Sequence, residues 1–202
     1  LDGVLHCINF LKKVNFKEKV ALGKRVAVIG GGNAAVDAAR VAKRLGSDVT
    51  ILYRRSRREM PANFWEVDEA EIEGIKIEFL VAPAKIIGDK KVEAIECLRM
   101  ELGEPDATGR RRPVSIKGSE FRIPVDNVIL AISQKPLIDW LPSEFERTKW
   151  GTLVVDPETL ETTVPGVFAG GDLVSGPATV IEAVAGGKKA AEAINAQIKG
   201  IK

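Results

Sequence analysis

The chain has 202 residues, 45% of them hydrophobic and 29% charged, and a net charge of +2 at pH 7. That balance fits a globular protein of one or two domains and excludes a strongly basic nucleic-acid binder, a collagen-like chain and a low-complexity tail. With no apolar run of about 20 residues and no basic-then-apolar secretory pattern, neither a membrane span nor export is expected, and the expected location is cytoplasmic.

Val4, Leu5, Ile8, Leu11 and Val14 have helical spacing, which predicts a helix over 4–15 and a turn over 18–23. This first helix contains His6, the single histidine, and Cys7, one of two cysteines; both are expected to be core or boundary residues. With Cys97 far away in sequence, there is no disulfide framework, CxxC motif or multi-histidine metal site within this chain. A Ser-His-Asp triad could use only His6, and these absences favour chemistry carried by a bound organic cofactor.

Val26–Ile29 is a short continuous apolar run, the mark of a strand buried on both faces of a parallel sheet. The turn Gly30-Gly31-Gly32-Asn33-Ala34-Ala35 follows. Val36–Leu45 then reads as a helix stopped by Gly46, and Asp48–Tyr53 as a second buried strand. Strand, turn, helix and strand fit one βαβ unit of about 30 residues. Beyond it, 63–74 is predicted helical, and 76–80 and 92–102 are predicted strands with a turn at Gly88-Asp89 between them. Residues 103–118 are expected to form a polar loop containing Asp106-Ala107-Thr108-Gly109 and Arg110-Arg111-Arg112. A buried strand is predicted over 127–132 and a connection with little periodicity over 136–151. Two short strands, 153–155 and 167–169, are expected around Pro165-Gly166, and a long helix over 178–198. The fold class is therefore α/β: a Rossmann-like parallel sheet with helices on both faces and a small antiparallel excursion.

Gly30-x-Gly32-x-x-Ala35 satisfies the dinucleotide fingerprint G-x-G-x-x-G/A. Gly30 makes the tight turn, Gly32 admits a pyrophosphate to the backbone, and Ala35 lets the helix pack close to its strand. The helix N-terminus offers N–H groups and partial positive charge to the phosphate. An NAD-selective site places a carboxylate about 20 residues further on. Here that region is Leu52-Tyr53-Arg54-Arg55, with Arg58 close behind. Guanidiniums match a 2′-phosphate, so this segment argues for NADP(H) over NAD(H); the bland alternative is an ordinary solvated loop. Arg54 and Arg55 are the first candidates, then Arg58, with Arg57 weaker.

Three stretches together carry a family resemblance. VAVIGGGNAAVDAARVAKRLGSDVTILYRRSRREMPA (26–62), RMELGEPDATGRRRPVSIKGSEF (99–121) and TTVPGVFAGGDLVSGPATVIEAVAGGKKAAEAI (162–194) resemble the glutamate synthase small (beta) subunit family. Its relatives include the NADH-dependent ferredoxin:NADP oxidoreductase large subunit and part of dihydropyrimidine dehydrogenase. The resemblance implies a two-dinucleotide-binding flavoprotein fold in which an NADP domain is inserted into a split FAD domain. Residues 1–22 would be a helical lead-in from the FAD domain, 23–135 the NADP domain, and 136–202 the returning, C-terminal part of the FAD domain. It also implies that Val167–Asp172 is the second FAD motif, with Gly171 and Asp172 at the flavin's ribityl–phosphate region and Ala178-Thr179 opening a helix toward the isoalloxazine ring. By physical reading alone, Gly170-Gly171 permits close backbone approach, and that helix N-terminus favours negative charge. Ala131, Ile132, Ser133 and Gln134 would lie near NADP as the chain leaves the inserted domain; Ser133 stands where many relatives have Gly.

The activity so implied is NADPH-linked flavin oxidoreduction, with hydride passing between NADP(H) and FAD and electrons going on to an iron–sulfur partner such as the glutamate synthase large subunit. No catalytic side chain and no metal ligand is named. One fingerprint is present where full members have two, so the chain resembles the C-terminal half of a longer protein or a piece of one. FAD is expected to be absent from or weakly held by this chain alone. Its partner would be an N-terminal FAD/iron–sulfur half or a separate chain carrying it, and an apolar face left uncovered is expected to support a homodimer. The alternative is a stand-alone NADP(H)-binding module or subunit without turnover. The Arg110-Arg111-Arg112 run is either a solvated hairpin or a dock for a partner subunit or acidic carrier.

Overall fold

A computed structural model describes residues 1–105, 109–132, 134 and 136–200. The chain divides into two compact units, Leu1–Ile132 and Ser133–Lys202.

The first unit is built on a five-stranded parallel sheet. Its strands are β1 (Val4–His6), β2 (Arg25–Ile29), β3 (Asp48–Tyr53), β4 (Lys76–Phe79) and β9 (Asn127–Leu130), in the order β1-β9-β2-β3-β4. Each adjacent pair is parallel; Ile29 lies opposite Leu52 on one side and Leu130 on the other. The apolar runs are buried on both faces because a strand's side chains alternate. In β2, Val26 and Val28 enter one core while Ala27 and Ile29 enter the other.

Helices α1 (Cys7–Asn15), α2 (Asn33–Arg44) and α3 (Phe64–Ile72) share the first core. In α2, Ala35, Val36, Ala38, Ala39 and Ala42 are buried, and their small side chains let the helix axis come close to the sheet. The predicted helix over 4–15 is corrected: residues 4–6 pair with β9 as an edge strand, and the helix starts at Cys7. Residues 1–22 thus contribute a strand and a helix to this sheet. Helix α2 begins at Asn33, three residues before the predicted start, while Gly46 and Gly74 follow α2 and α3 with φ of +98° and +82°.

The opposite face corrects the expectation of helices on both sides. It is covered by antiparallel strands β5 (Val81–Ile87), β6 (Ala94–Pro105) and β8 (Phe121–Pro124). Alternate residues of this meander, Val81, Ile95, Cys97 and Ile123, pack on Ala27, Leu52 and Val128. An amphipathic sheet closes the core as well as a helix layer would. The expected polar loop over 103–118 also holds a strand, β7 (Arg111–Ser115), paired with the outer half of β6. Asp106, Ala107 and Thr108 lie outside the described residues.

In the second unit the two predicted short strands are single bridges, Arg147–Leu153, Val155–Thr162 and Glu161–Phe168. Asp156 explains one of the breaks: its carboxylate accepts the N–H groups of Glu158 and Thr159, at 2.9 and 2.8 Å, and turns the chain. A short helix α4 (Asp172–Ser175) precedes the long α5 (Val180–Lys199). Thr179 and Glu182 form a capping box at the start of α5. Among the described residues no helix is long and apolar enough to cross a membrane.

Candidate functional site

Because all five strands run parallel, their carboxyl ends share one edge of the sheet. From β2 the chain passes to β3 on one side, while β9 occupies the other, so the strand order reverses at β2. A crevice outside the strand ends at such a reversal is where open α/β sheets bind ligands. The glycine turn leaves β2 at this point.

Its three glycines do different work. Gly30 has φ +146°, and a Cβ there would stand 2.3 Å from the carbonyl oxygen of Ala131. It lets the chain turn against the end of β9, where the Ala131 N–H donates to Ile29 at 2.8 Å. A Cβ on Gly31 would meet the Tyr53 ring at 2.4 Å, so Gly31 seats that aromatic side chain. Around Gly32 nothing lies within 4 Å of an added Cβ. Gly32 caps α2 without a side-chain hydrogen bond, leaving the first turn of the helix to face open space. Ala35 is fully buried, which brings α2 down onto the sheet.

Neighbouring segments brace this turn. Asn33 accepts the Asn63 N–H at 2.9 Å through its side-chain oxygen, and the Gly31 carbonyl accepts the Ala62 N–H at 3.0 Å. The Ala34 carbonyl accepts the Cys7 S–H at 3.1 Å. Cys7 is therefore a buried support of the turn, and burial with nearby Asp37 pushes its thiol up to about 11.

The arginines divide. Arg54 and Arg58 are exposed, and among the described residues no side-chain hydrogen bond or ion pair engages either guanidinium. Arg55 is buried, and its Nε donates to the Arg111 carbonyl at 2.8 Å. Arg57 is committed to Asp68 and to Glu71, the latter at 2.7 Å. The loop itself is rigidified by Ser56 and Glu59, which cap a 3-10 turn over Arg57–Glu59, and by the Tyr53 hydroxyl donating to the Glu59 carbonyl at 2.7 Å. The hydroxyl of Ser56 holds the Glu59 carboxyl below the usual carboxylate range, with the charge of Arg111 adding to it. The edge after β3 is thus cationic, with its one buried acid already satisfied.

The structure brings Gly30 to Ala35, Arg54, Arg58, Ala131 and Ile132 to one end of one sheet. Ile132 is exposed there. Ser133 lies outside the described residues. Gly171, Asp172, Ala178 and Thr179 belong to the second unit. Gly171 has φ +66°, and the Ala178 N–H donates to Asp172 at 3.3 Å. The close approach at Gly170 is made by α5 itself: a Cβ on Gly170 would lie 3.3 Å from Gly186. Sequence reasoning missed Gly186, although a glycine inside a predicted helix is a signal of close backbone packing. It also missed Asn63, Tyr53 and Arg111 as neighbours of the site. Among the described residues no group of three or more His, Cys, Asp and Glu side chains could hold a metal ion.

Comparison with known proteins fits this geometry. The chain is 48% identical over 200 residues to the NADP(+)-dependent formate dehydrogenase subunit beta of Moorella thermoacetica, covering 98% of this chain and 28% of that protein. It is 44% identical over 185 residues to the glutamate synthase [NADPH] small chain of Azospirillum brasilense, covering 89% of this chain and 38% of that one. Among solved structures, T. acidophilum thioredoxin reductase superposes with a TM-score of 0.72 at 28% identity, covering 96% of this chain and 57% of that one. The chain therefore spans less than half the length of these curated relatives. The profile of the pyridine nucleotide-disulphide oxidoreductases, a family that binds NADP(H) and FAD, matches residues 1–187. A parallel sheet that ends in a dinucleotide turn, with this profile running over nearly all of it, places the chain in the pyridine nucleotide-disulphide oxidoreductase family.

Proposed function

We propose that this chain is the NADPH-binding part of a flavin oxidoreductase of the glutamate synthase small-subunit type. The single observation that carries this reading is the open backbone at Gly32, set between strand β2 and helix α2, with two unengaged arginines following the neighbouring strand. The residues present fit the cofactor. The turn Gly30–Ala35 and the start of α2 hold the pyrophosphate, Arg54 and Arg58 hold the 2′-phosphate, and Ala131 and Ile132, which follow β9 on the other side of β2, lie near the rest of NADP(H). Arg55, buried and turned to Arg111, acts on the cofactor through the position of the loop rather than by contact.

When bound, NADP(H) supplies the hydride chemistry, with FAD as its partner in the whole protein and an iron–sulfur acceptor beyond it. This chain's own residues bind and orient; hydride transfer between two rings asks for stacking and position, not for a protonating side chain. In the second unit, Gly171, Asp172, Ala178 and Thr179 form the proposed FAD-facing edge, supported by the left-handed backbone at Gly171 and the exposure of the other three. That unit would complete its flavin site with a segment of the whole protein or a partner chain. Division of the whole into an NADP domain over about 23–135 and a returning FAD segment over 136–202 belongs to the same proposal.

The test is calorimetric titration of the chain with NADPH and, in parallel, NADH. NADPH should bind the more tightly. Replacing Arg54 and Arg58 together with Ala should weaken NADPH by about 10- to 100-fold, since a charge-assisted hydrogen bond contributes about 1.5–3 kcal/mol, and leave NADH nearly unchanged. Equal loss for the two nucleotides would remove the 2′-phosphate role.

A further inference from the structure

The run Arg110-Arg111-Arg112 is far from the glycine turn in sequence, yet the fold lays it against the arginine loop. Three backbone-anchored contacts do this. The Arg55 carbonyl accepts the Leu80 N–H at 3.1 Å, and the Leu80 carbonyl accepts the Met100 N–H at 2.8 Å. Met100 is where the long strand β6 leaves its pairing with β5 and begins to pair with β7. At the first residue of β7, the Arg111 carbonyl receives the Arg55 Nε at 2.8 Å. The β6–β7 arm is therefore pinned to the loop that follows β3 by a buried guanidinium.

The Arg111 side chain is exposed but tied down. Its guanidinium donates to the Gly103 carbonyl at 3.1 Å and also to the Leu102 carbonyl. Two carbonyls fix the guanidinium in place, and the acid that feels its charge is Glu59, whose carboxyl it helps to hold low. Glu59, the buried acid of the loop, is taken up by Ser56 at 3.2 Å from its N–H and 2.5 Å from its hydroxyl. A fixed positive charge on the arm thus stands beside a loop whose Arg54 and Arg58 are unengaged. Fixed charges that need no reorganisation favour an anion more than mobile ones.

We propose that the β6–β7 arm is the second wall of the 2′-phosphate subsite, with Arg111 as its specificity charge and Arg55 as the residue that positions it. This rests on the NADPH reading above and adds the arm to it. The ligand class is a nucleotide bearing a dianionic phosphate on its adenosine ribose.

The probes are adenosine 2′,5′-bisphosphate and AMP, titrated calorimetrically into the chain, into R111A and R111K, and into the R54A/R58A variant. The chain should prefer the bisphosphate. In R111A that preference should fall about fivefold, the order expected for one neighbouring charge, while R111K should keep most of it. The Arg55 contact is to a backbone carbonyl, so both variants retain the pin. Amide hydrogen exchange on the unaltered chain gives a reading that needs no variant: the bisphosphate, and not AMP, should slow exchange across 109–115. If R111A keeps the whole preference and 109–115 is unprotected while R54A/R58A loses it, the arm is no part of the site, although the NADPH reading stands. If the unaltered chain shows no preference for the bisphosphate, both fall.

Discussion

The contrast between Gly30 and Gly32 makes a sharp test of the phosphate turn. Alanine at Gly30 would carry a backbone φ of +146°, and its Cβ would sit 2.3 Å from the Ala131 carbonyl oxygen. The strained dihedral alone costs about 1–3 kcal/mol. The obstacle is backbone, so relief requires β9 to move away from the turn, at the expense of the 2.8 Å Ala131–Ile29 hydrogen bond, worth about 1 kcal/mol. Together these give about 3 kcal/mol, or about 10 °C in the melting of a unit of this size. Alanine at Gly32 meets nothing within 4 Å, and the backbone there, φ −91° and ψ 175°, is ordinary for any residue. Its weaker capping and its smaller unfolded-state entropy offset one another, so melting should shift by less than about 2 °C. Its methyl group would nonetheless stand where a pyrophosphate must approach, and NADPH affinity should fall at least about tenfold. Circular-dichroism melts and NADPH titrations of both variants check this. A Gly30→Ala protein that melts like the parent, or a Gly32→Ala protein that binds NADPH like the parent, would refute the assignment of roles.

Two further outcomes are expected. Hydrogen bonds from Arg40, and then Arg44, hold the Glu73 carboxyl below its ordinary value of 4.5; a depressed folded value means stability that is complete above about pH 4.5 and drains as pH falls through the folded value. Glu73→Gln should therefore melt below the parent at pH 7, with the gap closing toward pH 3; a gap constant with pH would show that the ion pairs contribute nothing. Burial pushes the thiols of Cys7 and Cys97 up to about 11, so in the native chain both should react with Ellman's reagent at pH 8 on the order of a hundredfold more slowly than free cysteine. Both should react at once in urea, and fast native labelling of either would contradict the described burial.

The sequence by itself determined the parallel core and the turn. Continuous apolar runs such as VAVI and DVTILY read as doubly buried strands because both faces of each strand must be apolar, and Gly-x-Gly-x-x-Ala reads as a dinucleotide turn because its chemistry is local. Local signals also set Gly46 and Gly74 as helix stops. Three decisions belonged to tertiary structure alone. Residues 4–6 have helical spacing, yet they pair with β9, because the hydrogen bonds of an open sheet edge outweigh a weak local preference. The second face of the sheet is closed by β5, β6 and β8 rather than by helices, since period-2 burial at Ile95 and Cys97 serves as well once a partner face exists. Arg54 and Arg55 are adjacent and identical in sequence, and the bend that follows β3 sends them opposite ways. One is left at the open edge; the other is buried against a carbonyl 56 residues away, a partner that only the folded chain brings within reach.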